Sequence, residues 1–338
     1  MNIKEEFEFI LKNANINCPI IDIQNINNGL SHQSYKVITK DNIYVIKQLN
    51  KSIKKGNELY LKLNNTEIIS NIFKDKGILS STAFLFNNNK YIFSLNNNNY
   101  MLFNFIEGII LNQDQITIKH CQIIGSILAK MHNINISNID LNINKKIQIK
   151  KYNWEILLSK ARDKNKLYIN IFSNNINLLK EINNKAKKAE KYANDNLVIS
   201  HQDLNIKNII WKKDLPYIID WENAGYINPI LELIQVAWYW AGFDLGKTDY
   251  KKFEVILKAY KDNINIFLDI NVKELIYVDI YRGLEWLYFN LERSLCIGNE
   301  YDNNEIDIAE KEIIQSFKEI NFNIEQIDNI VNIFQKIF

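Results

Sequence analysis

His201, Asp203, Asn208 and Asp220 are the residues of this chain whose types and spacing could do chemistry together. They stand in the run His201-Gln202-Asp203-Leu204-Asn205-Ile206-Lys207-Asn208, with Asp220 directly after the apolar stretch Pro216-Tyr217-Ile218-Ile219. An H-x-D-x-x-x-x-N loop offers a carboxylate that can receive a hydroxyl proton and, further along, an amide oxygen that can face a cation. A second aspartate at a hairpin's distance adds a hard oxygen ligand of the kind Mg2+ prefers. Phosphoryl transfer needs this set, because its catalysis is mostly positioning and charge neutralisation. Either aspartate alone would read as a loop cap or a strand end. Their spacing points to chemistry.

Two features upstream belong to the same chemistry. Asn28-Gly29-Leu30-Ser31-His32-Gln33-Ser34-Tyr35 lies between two strand-like runs, where a turn could cover phosphates with backbone N–H groups; Gly29, Ser31 and Ser34 are the candidate contacts. Val45-Ile46-Lys47 sets a lysine in an otherwise apolar strand, suited to reach the α/β-phosphates. A helix carboxylate would hold that lysine. Glu67, between apolar turns of a helical stretch, is the first choice of partner and Glu58 the alternative.

These residues require a particular set of elements. Tyr35–Thr39 and Ile43–Leu49 read as strands joined at Asp41-Asn42, a hairpin signal. Glu58–Lys76 carries apolar residues at helical spacing and ends at Gly77. Strands are expected around Thr82–Phe86 and Tyr91–Ser94, followed by the apolar run Tyr100–Ile106. Beyond Gly108 the pattern turns helical: Gln113–His132, much of 150–194, then Pro229–Trp240, Tyr250–Phe267, Val272–Cys296 and Asn304–Phe338. The short strands Ile209–Trp211 and Tyr217–Ile219 flank a turn at Asp214. The expected fold class is α+β, a small sheet-rich lobe followed by a large helical one, joined near residues 103–108.

With those motifs in place, the chain resembles the aminoglycoside phosphotransferase and choline kinase superfamily, which shares the protein-kinase-like fold. The resemblance runs from Gly29 to about Arg293. It includes Leu128-Ala129-Lys130-Met131-His132, similar to an L-A-x-L-H helix end, and Ile219-Asp220-Trp221-Glu222-x-Ala224-Gly225, similar to I-D-[FW]-E-x-[AS]-G. It implies one kinase-like domain with a nucleotide-binding lobe over 1–103 and a catalytic, acceptor-binding lobe over 104–338. It further implies ATP and Mg2+ as cofactors, Asp203 as catalytic base with His201 beside it, Asn208 and Asp220 as metal ligands, and Lys47 on the phosphates. Residues around Phe103 and Phe105 would hold adenine. The implied activity moves the γ-phosphate to a hydroxyl of a small, cationic acceptor such as an aminoglycoside; choline, ethanolamine, a sugar, thiamine or homoserine are alternatives, and a non-catalytic kinase-fold protein is the alternative of another class. Asn205 in place of lysine, Trp221-Glu222 in place of Phe-Gly and the lack of an A-P-E signature argue against protein substrates. Glu232 departs from the aspartate many relatives carry there.

Composition narrows the remainder. The net charge of +2 gives no electrostatic footprint for nucleic acid or an anionic membrane, and 47% hydrophobic residues supply a sizeable core. No apolar run approaches the roughly 18 residues of a membrane span, and the start carries acidic residues rather than a leader's apolar stretch. Three scattered cysteines form neither a disulfide framework nor a metal motif, and the four histidines lack zinc spacing. A cytoplasmic monomer or weak dimer is the expectation. Ala241–Thr248 fits a loose Walker A pattern, but it follows a helix-period segment and opens on alanine, so a helix end and turn is the better reading. Glu222, Trp240, Glu285 and Trp286 are candidates for holding a cationic acceptor.

Overall fold

The computed structural model describes residues 2–26, 32–50, 57–136, 146–243 and 246–338, with side chains omitted for 57–59. Gly29, Ser31 and the Glu58 side chain therefore lie outside the described residues, as do Asp244 and Leu245 of the Walker-like stretch. The architecture is α+β. The chain divides into two compact units, the first comprising Met1–Gln115, Ile134–Asn144 and Ile199–Gly225, the second Ile116–Asn133, Lys145–Val198 and Tyr226–Phe338.

The first unit is built on an antiparallel sheet of β1 (Ile20–Asn25), β2 (Gln33–Thr39), β3 (Ile43–Gln48), β4 (Phe93–Leu95) and β5 (Asn98–Asn104), in the order β1-β2-β3-β5-β4. Local chemistry closes its hairpins. Thr39 Oγ1 donates to the Asn42 carbonyl at 2.8 Å and accepts the Asn42 N–H at 3.1 Å, fixing the β2–β3 turn. Asn96 and Asn97 take φ of 48° and 62° between Leu95 and Asn98, the two left-handed residues that a tight hairpin of matching twist demands.

Helix α1 (Ile3–Asn13) starts in an Asn2/Glu5 capping box and buries Phe7, Ile10 and Leu11 with Val37, Ile46 and Leu102 of the sheet. The strand-rich reading of this region has one helix where the structure has two. Helix α2 (Asn57–Asp75) ends in a Schellman arrangement: Ile78 N–H donates to the Phe73 carbonyl and Gly77, at φ 81°, to that of Lys74. Thr82–Phe86 is not a strand. It makes only an isolated bridge between Ala83 and Phe103, because the Ala83 N–H goes to a side chain of α2.

Two further strands of this unit, β7 (Ile209–Lys212) and β8 (Leu215–Ile218), form an antiparallel hairpin; the short strands β6 (Val198–Ser200) and β9 (Gly225–Ile227) fall where the chain changes units. Gly108 lets the chain meet that hairpin. Ile109 and Trp211 exchange backbone hydrogen bonds at 3.0 and 2.8 Å, and a Cβ on Gly108 would stand 2.6 Å from the Trp211 carbonyl oxygen.

The second unit is helical: α3 (Ile118–His132), α4 (Trp154–Asp163), α5 (Ile169–Ala193), α6 (Pro229–Trp240), α7 (Tyr250–Lys261), α8 (Val272–Ser294) and α9 (Asn303–Ile337). Helix α7 stops short of the expected Phe267. Helix α6 buries Pro229 through Trp238 and Trp240 and exposes only Tyr239, so it is the unit's central helix and not the amphipathic one its pattern suggests. At its core His132 places Nε2 2.7 Å from Glu232 and Nδ1 2.7 Å from the Tyr260 hydroxyl. Burial, then the Glu232 carboxylate, push the Tyr260 phenol far up, so its hydroxyl stays protonated and donates. No described helix is long and apolar enough to cross a membrane.

Candidate active site

The loop between β6 and β7 carries Asp203, and two left-handed residues shape it and its neighbour. Gln202 has φ 61°, and Asp220 sits at φ 64°, ψ 61° directly after β8. Neither is glycine, so each conformation must be imposed by its surroundings. The fully buried His201 imposes the first. Its Nδ1 accepts the Asp203 N–H at 3.2 Å, which puts the ring proton on Nε2, and Nε2 donates to the Ile219 carbonyl at 3.0 Å. The Ile219 N–H in turn donates to the Asn208 carbonyl at 3.0 Å. Both backbone groups of the residue before Asp220 are therefore held by the Asp203 loop.

Asp203 is held at both oxygens. Asn205 Nδ2 donates to Oδ1 at 2.5 Å; Asn208 Nδ2 donates to Oδ2 and to the backbone carbonyl, each at 2.9 Å. Both Asn208 bonds come from Nδ2, so its Oδ1 is the atom left to face a cation. Asn208 and Asp220 offer hard oxygens that could hold Mg2+ together with phosphate oxygens, whereas no cluster of three His, Cys, Asp or Glu that could hold a metal ion occurs among the described residues.

Lys47 faces this set from β3, opposite Ser34 on β2 and Met101 on β5. Its ammonium donates to Asp220 Oδ1 at 2.7 Å and to Glu222 Oε2 at 3.3 Å. Burial pulls its pKa down, but the Asp220 and Glu222 carboxylates outweigh that and raise it, so the cation is secure. Glu222 Oε2 also accepts from His32 Nε2 at 3.1 Å. His32 Nδ1 accepts the Asn50 N–H at 3.1 Å, which again places the ring proton on Nε2. The His32 hydrogen bond, with Lys47, holds the Glu222 carboxyl down at about 2 despite its burial.

The expected Lys47–Glu67 pair is not what holds the lysine. Glu67 is buried and uses Oε2 to accept the Ala83 N–H at 2.8 Å and the Ser70 hydroxyl at 3.3 Å, fastening α2 to the chain beside β5. Burial pushes its carboxyl up to about 7, against those hydrogen bonds. Phe73 of α2 stacks on Trp221, centroids 5.2 Å apart, and Trp221 meets His201 edge-on at 4.7 Å. Helix α2 thus supports the Asp220 turn through rings, not through charge.

Phe103 lies on β5 opposite Val45, and the Phe105 N–H donates to the Ile43 carbonyl just past the strand, with Lys36 Nζ 4.4 Å from its ring centroid. Trp240, fully buried, is a core side chain and offers no open face to an acceptor. Trp286 is 48% exposed and donates to Glu312, while burial raises the Glu285 carboxyl against a Tyr281 hydrogen bond. Glu222, expected to serve an acceptor, is engaged by Lys47 and His32. Neither the His32–Glu222 contact nor the Phe73–Trp221 stack has a signal in local spacing. His32 gains its meaning only from a partner 190 residues away.

A sequence model of the phosphotransferase enzyme family matches residues 22–254. No curated protein matches the chain. Among solved structures, a spectinomycin phosphotransferase in complex with ADP and spectinomycin has a TM-score of 0.67 at 16% identity, covering 96% of this chain and 98% of its own. Choline kinase from Cryptosporidium parvum gives 0.58 at 15% identity, covering 97% and 99%. Plasmodium vivax ethanolamine kinase gives 0.54 at 18%, covering 88% and 84%. At these identities the structural likeness speaks for a shared kinase-like fold, and the match over most of the chain speaks for ancestry: this chain belongs to the phosphotransferase enzyme family.

Proposed function

We propose that this protein transfers the γ-phosphate of ATP to a hydroxyl group of a small, cationic molecule. One observation carries the reading: the Asp203–Asn208 loop and the Lys47–Asp220–Glu222 cluster occur in one unit, cross-linked through Ile219. Asp203 is the catalytic base. It orients the acceptor hydroxyl and takes its proton as the oxygen attacks the γ-phosphorus and the bond to ADP breaks. Lys47 contacts the phosphates, Ser34, opposite it on β2, lies beside them, and the Phe103–Phe105 segment receives adenine. Asp220 and Asn208 would hold Mg2+, which neutralises phosphate charge. His201 acts through the loop, since both its ring nitrogens are committed to backbone.

On the acceptor side, Tyr152 stacks on Tyr288 at 4.1 Å and lies 5.9 Å from Tyr281, with Glu285 on the same helix as the last two. Stacked phenols beside a carboxylate suit an ammonium-bearing acceptor. The spectinomycin phosphotransferase, choline kinase and ethanolamine kinase names supply the acceptors to try first. A minimum-inhibitory-concentration panel tests the antibiotic branch; failure across every aminoglycoside moves the acceptor to a metabolite. Three free cysteines fit a reduced, cytoplasmic setting, in which the protein acts as a monomer or weak dimer.

A further inference from the structure

Lys47 has two carboxylate partners, and in the proposed reaction one of them has another task. Asp220 is the residue that would turn toward a nucleotide-bound cation. Glu222 Oε2 receives donors from two sides, Lys47 at 3.3 Å and His32 at 3.1 Å. His32 is itself fixed, since the Asn50 N–H occupies its Nδ1 and leaves Nε2–H as the donor. The His32 side chain is 9% exposed and that of Glu222 29%, so their hydrogen bond is partly buried. Glu67, a buried carboxylate that feels the Lys47 charge, is occupied with Ala83 and Ser70.

We infer that Glu222, oriented by His32, is the anchor that retains Lys47 at the phosphates once Asp220 is engaged by the cation, and that His32 is a positioning residue for nucleotide binding. A chain of donors and acceptors runs from the residue just before β2, through Glu222, to the β3 ammonium. It takes over the task that a carboxylate of α2 was expected to perform. The inference rests on the nucleotide reading proposed above, and it makes a claim that reading does not: the anchor matters most when the metal is present. Without metal, Asp220 still holds Lys47, and loss of the second carboxylate's orientation is buffered.

The test is isothermal titration of the full chain with ADP, in magnesium and in EDTA, for wild type, His32→Phe, His32→Gln and Glu222→Gln. Loss of a hydrogen bond to a charged group corresponds to about tenfold or more in affinity. His32→Phe and Glu222→Gln are expected to weaken ADP binding by about tenfold in magnesium and clearly less in EDTA. His32→Gln, whose amide can still donate to Glu222, is expected to recover most of the loss. Equal weakening in both media, or a glutamine no better than phenylalanine, overturns the inference and leaves a packing role. Where His32→Phe does not fold, Glu222→Gln and His32→Gln carry the same comparison. A wild type that binds no nucleotide in either medium defeats the proposed function itself, a different and separately visible result.

Discussion

His201 donates from Nε2 to the carbonyl oxygen of Ile219 at 3.0 Å, so the loop that bears Asp203 is fastened to the residue immediately before Asp220. Two carboxylates far apart in chemistry, one for a proton and one for a cation, are thereby kept in a fixed relation by a ring that touches neither reactant. Replacement by phenylalanine keeps the edge contact with Trp221 and loses both hydrogen bonds. His201→Phe is expected to destabilise by about 1–3 kcal/mol through the unsatisfied Ile219 carbonyl. It should lower kcat by a larger factor than it weakens nucleotide affinity. Steady-state kinetics beside a thermal melt check both parts.

Glu67 gives a pH signature. Its carboxyl titrates near 7 in the fold, against about 4.5 when free. Because the folded value is raised, its contribution to stability is fully present below pH 4.5 and is lost as pH rises through about 7. The shift corresponds to a penalty on the order of 3 kcal/mol above pH 7. Glu67→Gln still offers an oxygen to the Ala83 N–H and carries no charge to bury. Relative to wild type, its melting temperature is expected to rise between pH 5 and pH 8. A constant difference across that range would contradict the buried, protonatable carboxyl.

The buried Glu232–His132 pair behaves in the opposite way to a surface ion pair. Both side chains are essentially unexposed, with the Tyr260 hydroxyl completing the chain. Removing one partner leaves the other unpaired in the core, a loss of about 3–5 kcal/mol. Glu232→Leu is therefore expected to unfold at much lower denaturant, and Glu232→Gln, which still accepts from His132, to lose clearly less. Equilibrium urea unfolding measures it.

Gly108 tests the close approach beside β7. Any Cβ there meets the Trp211 carbonyl at 2.6 Å, which is backbone and cannot swing aside. Gly108→Ala is expected to cost about 1–3 kcal/mol and to break the Ile109–Trp211 exchange, visible as faster hydrogen exchange at those two amides.

Structure that depends on spacing along the chain was legible in this sequence. Asp203, Asn208 and Asp220 sit in one short stretch, so the loop and hairpin that join them could be read directly. The helices α6, α8 and α9 were placed within about two residues for the same reason, periodicity being local. What depended on distant neighbours was not legible. Glu67 stands in the expected helix, yet the Ala83 amide claims it, and Lys47 turns instead to a residue far along the chain. Trp240 reads both as core and as an acceptor candidate, because a central helix buried all round carries the same aromatic residues as a pocket wall; the structure makes it core. Thr82–Phe86 has strand composition, but a glutamate accepting its amide leaves only a bridge.

The most direct measurement is ATP consumption over pooled hydroxyl acceptors for wild type and Asp203→Ala, with ATP binding followed on the same samples. The expected result is turnover by wild type with at least one pool, yielding a phosphate monoester and ADP. Asp203→Ala should bind ATP nearly as tightly and turn over roughly 10²–10⁴-fold more slowly. Equal turnover by the two proteins would contradict the assignment of Asp203 and with it the account of this site.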